Sequence, residues 1–460
     1  MRPSRILVVM SVSVAALIAA RPSSFAQTVT TLYSFTGIQG SGNPAYVVPS
    51  KGRDAKLYGT TYGPTGTSGS VFAITVAGKA TQLYTLGSDG ATPYAGLTLS
   101  TDGDLYGTTG FGGKSYNSGV LFNISPNGTY TVLHEFSGSD GAIPEAYPIQ
   151  ASDGNFYGTT IGTGGQSTIY KYTLGGSFST IYTFDEAHGQ YVTAALTEGS
   201  DGNLYGTAVN GGAHGWGTLF KLAKSGVLLW YYSFPGGTGG AFPYSALLQA
   251  SDGKLYGTTV EGGVGTGCGT VFALDQEGKV SILYAFKNAA DGCSPYGVMQ
   301  ATDGNFYGAT DQGGTGGAGG AGTLYQLTTH GVHTVLYRFG VTGDHPLVPP
   351  MQDTNGTFYG TTYAGGRFGF GTVYSLNMGL SPFVAFVQPM GRIGQTAQIL
   401  GQGLTGTTGV TFNGVPATNF TVITDTFLTT VVPSGATTGV VLVTTPTGQL
   451  TSNVTIRIIP

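Results

Sequence analysis

Apolar and polar positions fall into short runs separated by Asp-Gly and Gly-Gly turns, a pattern that reads as β-strands. Around Tyr256, residues 245–250 (SALLQA) form a short apolar strand, and Ser251-Asp252-Gly253 turns the chain. Asp-Gly suits that turn because both residues tolerate positive φ. Residues 254–259 make a second strand, and Glu261-Gly262-Gly263 opens a Gly-rich loop that ends at Gly269. Residues 270–274 (TVFAL) make a third, Gln276-Glu277-Gly278 turns again, and residues 281–286 (SILYAF) make a fourth. Strands this continuously apolar imply sheets covered on both faces.

This unit recurs. Its signature Leu57-Tyr58-Gly59-Thr60-Thr61 returns around Tyr106, Tyr157, Tyr205, Tyr256, Tyr307 and Tyr359, at spacings of 48, 51, 48, 51, 51 and 52. Four strands per unit at such a period predict propeller blades rather than a helical solenoid. The fourth-strand signature also occurs seven times, but its first copy, Leu32-Tyr33-Ser34-Phe35, precedes every Tyr-Gly signature. The last unit, residues 346–376, has only three strands of its own, so the N-terminal strand is expected to supply the fourth and close the ring. The tyrosines and glycines of the signature occur in every copy and read as architecture: Tyr packs between blades and Gly allows close backbone approach.

The patterns SDGxLYGTT (residues 251–259) and GGxxxxGTVF (residues 262–272) resemble the GloVer tandem repeat of exported bacterial proteins, over residues 28 to about 378. The resemblance implies export and a repeat array but carries no activity or site residues. Members of that family bear varied surface anchors, and none is recognisable here. After Leu376 the period stops, and strand-like runs at 397–400, 409–412, 420–423, 427–432, 439–444 and 453–459 suggest a small β-sandwich. Pro389-Met390-Gly391, Gly401-Gln402-Gly403-Leu404, Phe412-Asn413-Gly414, Thr424-Asp425-Thr426 and Val432-Pro433 look like an IPT/TIG domain, which implies a spacer or interaction module. The expected fold is therefore all-β: a seven-bladed β-propeller at 27–379, joined through residues 377–382 to an immunoglobulin-like IPT/TIG sandwich at 380–460.

The N-terminal residues predict export. Arg2 and Arg5, the apolar residues 6–20 and Ser24-Phe25-Ala26 compose a secretory leader over 1–26. Glycine reaches 80 residues and charged residues only 9%, without the three-residue period of collagen. A net charge of −4 with thinly spread basic residues argues against nucleic acid as a partner. No later apolar stretch is long enough to span a membrane. A secreted or cell-surface monomer is expected, with an extracellular polysaccharide or surface protein as partner and no cofactor.

In a repeat protein, chemistry is sought where copies disagree. Cys268 and Cys293 are the whole thiol inventory, lie in loops expected on one face of the ring, and read as a disulfide rather than two free thiols. On that face Asp185, Glu186 and His188 share one loop, with His214 and Trp216 in a loop of the adjoining blade. Carboxylates with two histidines are metal-binding or acid–base residue types, while solvated loop residues are the alternative. Arg367, Phe368 and Phe370 offer an aromatic and cationic contact for sugar or peptide, against plain loop packing. No GxSxG elbow or HExxH helix is present. The leading expectation is a non-enzymatic binding or structural protein that presents its loop face. The alternative is a glycan-acting hydrolase or lyase with its site on that face.

Overall fold

A computed structural model describes residues 28–38, 42–63, 69–265, 267–287, 289–314, 319–340 and 342–459; the expected leader lies outside them. Within residues 29–376 the strands form seven four-stranded antiparallel sheets, so the repeat part is all-β and propeller-like. The fifth sheet is representative, with strands Leu248–Gln249, Leu255–Thr259, Thr270–Leu274 and Val280–Ala285 in sequence order. The seventh joins Met351–Gln352, Phe358–Thr362 and Thr372–Leu376 to Val29–Ser34, which pairs Val29 with Leu376 and Ser34 with Thr372. No helix among the described residues is long and apolar enough to cross a membrane.

The innermost strand differs from its expected form. Outside the sixth sheet it is a two-residue ladder, as in Leu248–Gln249, where residues 245–250 were expected. The preceding residues leave the ladder to line the axis. In the sixth sheet Cys293–Gln300 pairs over more of its length, with a register shift between Pro295 and Val298.

Each signature residue has a local task. The tyrosine hydroxyl donates to the aspartate of its own turn, from Tyr58 to Asp54 through Tyr307 to Asp303, at 2.7–2.8 Å in six sheets. The seventh sheet has Asn355 in place of that aspartate, and its amide donates to Tyr359 Oη at 3.0 Å. The first threonine of the Gly-Thr-Thr segment reaches the next sheet. Thr60, Thr108, Thr159, Thr207, Thr258 and Thr361 donate to inner carbonyls at 2.6–3.2 Å, the last of them to Val47 across the closing joint. The signature glycine leaves room for an aromatic edge: a Cβ on Gly257 would lie 2.5 Å from the Phe272 ring.

The last residue of an inner strand stitches its sheet to the preceding turn. Gln150, Gln249, Gln300 and Gln352 accept from the backbone N–H of Thr101, Ser200, Ser251 and Thr302 at 2.8–3.1 Å. Glu198 accepts likewise from Ser152. At the closing joint this position is Lys51, and Asp353 stands in the facing turn where other copies carry Ser, Ala or Gly. The two buried side chains form an ion pair at 2.8 Å. Phe35, Tyr359 and Val373 pack there against Leu57, Phe72 and Ile74.

Residues beyond the array form two further four-stranded sheets. One joins Ala385–Phe386, Thr396–Leu400, Phe427–Val431 and Phe420–Thr424; the other joins Val415–Pro416, Gly409–Phe412, Val441–Thr445 and Gly448–Thr451. Ile399, Leu404, Val410, Phe412, Leu428 and Val443 lie in the core of this module. It docks on the turn side of the ring. Arg53 Nη2 donates to Thr101 O at 2.8 Å and Gln398 Oε1 at 2.6 Å, with its guanidinium 4.7 Å from the Phe427 ring. Gln388 Nε2 donates to Ala151 O at 2.6 Å.

Removing one partner of a buried ion pair strands the other charge, which costs roughly 3–5 kcal/mol. Lys51→Met is expected to lower unfolding stability by about that much. Lys51→Met with Asp353→Leu should recover most of the loss, as read from urea midpoints of the three proteins.

Candidate functional site

A recurrent kink aims side chains at the ring axis. Thr92, Ile143, Tyr191, Phe242, Ser294 and His345 occupy one repeat position at φ 54–57°. All but Tyr191 precede a proline. This conformation is costly for a non-glycine residue, on the order of 1–3 kcal/mol. Backbone bonds hold it: Ile143 N–H donates to Ser118 O and Phe242 N–H to Trp216 O, both at 2.9 Å and both across a sheet joint. The carbonyls of Ile143 and Phe242 accept from Ile161 and Val260.

The residue two positions after the kink is Tyr94, Glu145, Thr193, Tyr244, Tyr296 or Leu347. In the first sheet Tyr46, itself at φ 50°, supplies the corresponding aromatic. All but Tyr94 line a cavity of about 430 Å³ along the axis, and Asn453 and Val454 of the C-terminal module stand at its turn end. Tyr94 lines an adjoining cleft of about 410 Å³ with Tyr62, Tyr363, Asp311 and His345. Tyr46 and Leu347 belong to both. The rings of Tyr46 and Tyr296 lie 5.6 Å apart, and those of Tyr244 and Tyr296 5.7 Å.

Glu145 is the one ionisable acid or base other than tyrosine among the channel-lining residues. Burial pushes its carboxyl up to about 7. Its charge bears on Tyr46, Tyr94 and Tyr244, and burial pushes the phenols of Tyr46 and Tyr94 up to about 12. In the cleft, His345 Nδ1 meets Asp311 Oδ1 at 2.6 Å. Burial lowers the proton affinity of that imidazole, but the Asp311 hydrogen bond and charge outweigh it and leave it above the ordinary histidine value.

The residues expected from the loops sit elsewhere. Cys268 and Cys293 form a disulfide, with Cα atoms 4.4 Å apart. His188 Nδ1 meets Asp185 Oδ1 at 2.5 Å; the bonds from His188 outweigh a small burial cost and hold Asp185 below the usual carboxylate range. Glu186 enters this arrangement through its carbonyl, which accepts from Gly212 N–H at 2.9 Å. No hydrogen bond among the described residues joins exposed His214 to these groups, and no described group of three or more His, Cys, Asp or Glu residues has the geometry to hold a metal. Trp216 is 41% exposed, with an edge contact to Phe242. Arg367 lies over the Phe368 ring at 5.2 Å, whereas Phe370 packs against the closing-joint core. The channel residues were absent from the expected site. The signal for them is the changing residue after an otherwise recurrent proline.

The family model described as the Gloeobacter/Verrucomicrobia repeat matches residues 21–164 and 145–374. The chain belongs to that family. This repeat protein matches no curated protein. Among solved structures, it is similar to a gluconolactonase from Xanthomonas campestris at 15% identity and TM-score 0.39, over 68% of this chain and 93% of that one. A putative 6-phosphogluconolactonase from Bacteroides uniformis gives 16% identity and TM-score 0.47, over 66% and 89%. A fungal alcohol oxidase of the AA5 family in complex with copper gives 12% identity and TM-score 0.46, over 94% and 98%.

The sign of the Glu145 shift yields a stability test. A carboxyl whose folded value is raised destabilises the fold as pH climbs from the ordinary glutamate range through about 7, and by a constant amount above that. Glu145→Gln is expected to leave the urea midpoint unchanged at pH 4 and to raise stability at pH 8 by on the order of 2 kcal/mol.

Proposed function

We propose that this chain is an exported binding protein whose channel receives the end of an extracellular polysaccharide. In this reading the seven sheets are the blades of a closed seven-bladed propeller over 27–379, and residues 380–460 are an immunoglobulin-like IPT/TIG module. Residues 1–26 are the leader that sends the chain to the cell surface, the periplasm or the medium. The Cys268–Cys293 disulfide is compatible with that oxidising destination.

The observation that carries the proposal is the cavity itself, with tyrosine at the varying position of four sheets: Tyr46, Tyr94, Tyr244 and Tyr296. Aromatic faces match the C–H faces of sugar rings, and phenol groups serve their hydroxyls. Trp216, exposed on the loop side, offers the chain a further ring outside the mouth.

A hydrolase reading draws on the near-neutral carboxyl of Glu145, the property of a general acid. A two-carboxylate glycosidase needs a second carboxylate across the bond, and no other residue lining the channel carries one. Binding without turnover is therefore preferred.

Titration calorimetry against a panel of neutral, amino and acidic oligosaccharides tests the proposal. Wild-type protein is expected to bind at least one member. Tyr244→Ala and Tyr296→Ala should weaken that binding about tenfold or more, and Trp216→Ala by less. Folded wild-type protein that binds no member of the panel would overturn the proposal.

A further inference from the structure

We propose that the channel selects a glycan end that carries a free, protonated amine, with the carboxylate of Glu145 receiving the ammonium and the tyrosine faces carrying the sugar ring. The inference rests on the glycan-binding reading and names the class of glycan.

Among the described residues, Asp353 is matched by Lys51, Glu198 by Lys224, and six turn aspartates by tyrosine hydroxyls. Glu145 stands two residues after the Ile143 kink, on the axis, and no hydrogen bond or ion pair to its carboxylate is found among the described residues. Glu145 is half-buried in the channel wall, and a carboxylate partly withdrawn from water without a paired charge is stabilised when a cation or proton is supplied.

No cationic side chain among the described residues lines the channel. The elements that face Glu145 around the axis contribute Tyr46, Tyr147, Thr193, Tyr244 and Tyr296. In the adjoining cleft, Asp311 already engages His345. The nearby charges that bear on these phenols are acidic, from Glu145, Asp311 and Glu261. The channel therefore presents a negative potential inside an aromatic wall. An ammonium group suits both features: it pairs with the carboxylate and is attracted to the electron-rich faces of tyrosine rings. An N-acetylated sugar brings no charge, and a uronic acid brings the wrong one. The near-neutral proton affinity of Glu145 agrees with this assignment, because a proton there stands in for the missing cation.

The test is titration calorimetry at pH 7 with three probes: a β-1,4-linked glucosamine tetramer, its fully N-acetylated counterpart and a uronic acid tetramer. Wild-type protein is expected to bind the amine form at least about tenfold more tightly than the acetylated form, with uronic acid weakest. Glu145→Gln should erase the preference while the acetylated tetramer still binds, and Glu145→Asp should restore part of it. Equal binding of amine and acetylated forms, or a preference that survives Glu145→Gln, would overturn the inference and leave the glycan reading standing. Absence of binding to all three, with the wider panel also silent, would overturn both.

Discussion

Every sheet of the array is apolar on both faces, so each needs a neighbour on either side, and that need is met all round only when the seventh sheet meets the first. The closing joint combines contacts that recur around the array with a charged pair of its own. It has the threonine bond from Thr361 to Val47 that five other joints also make. Where four other joints use a glutamine amide, it has the buried Lys51–Asp353 pair. It also has a borrowed strand, Val29–Ser34, and Phe35 wedged beside Phe72. A buried ion pair is a weak source of net stability but discriminates strongly against a misplaced partner. Lys51 and Asp353 therefore mark the one joint formed by residues about three hundred positions apart.

Closure creates an axis, and the kinks decide what faces it. A two-residue inner ladder leaves the preceding backbone free of sheet pairing, and the left-handed residue then turns the chain toward the centre. The N–H bonds of Ile143 and Phe242 run to the neighbouring sheet, so the assembled ring helps to sustain the strain. The same geometry that stitches sheets together thus delivers Tyr46, Glu145, Tyr244 and Tyr296 to a common cavity. The C-terminal module completes it from the turn side. Arg53 ties that module down through Thr101, Gln398 and the face of Phe427.

Much of this was legible in the chain. The Tyr-Gly-Thr-Thr spacing located the second strands, and the out-of-register copy at Leu32-Tyr33-Ser34-Phe35 anticipated the pairing of Val29–Ser34 with Thr372–Leu376. The runs in the C-terminal part match Gly409–Phe412 and fall within a residue of Thr396–Leu400, Phe420–Thr424 and Phe427–Val431. Met390–Arg392 was missed as a strand because its parallel partner, Arg457–Ile459, lies far along the chain and local pattern carries no trace of the pairing. The two cysteines were placed on one face by topology alone, and the disulfide joins them.

The sequence by itself determined the repeat, its strands, the order of sheets and the residues that serve architecture, because these depend on local alternation, turn chemistry and period. Only the tertiary structure decided which departures from the repeat come together. Asp185 and His188 meet because they are three residues apart in one loop, whereas no hydrogen bond among the described residues ties exposed His214 to them. Glu145 and the tyrosines are separated by about fifty residues or multiples of it, yet they share one cavity. What gathers them is rotation about the ring axis, which places the same repeat position of every sheet on the same circle. That rotation is a property of the closed ring and appears in no single copy.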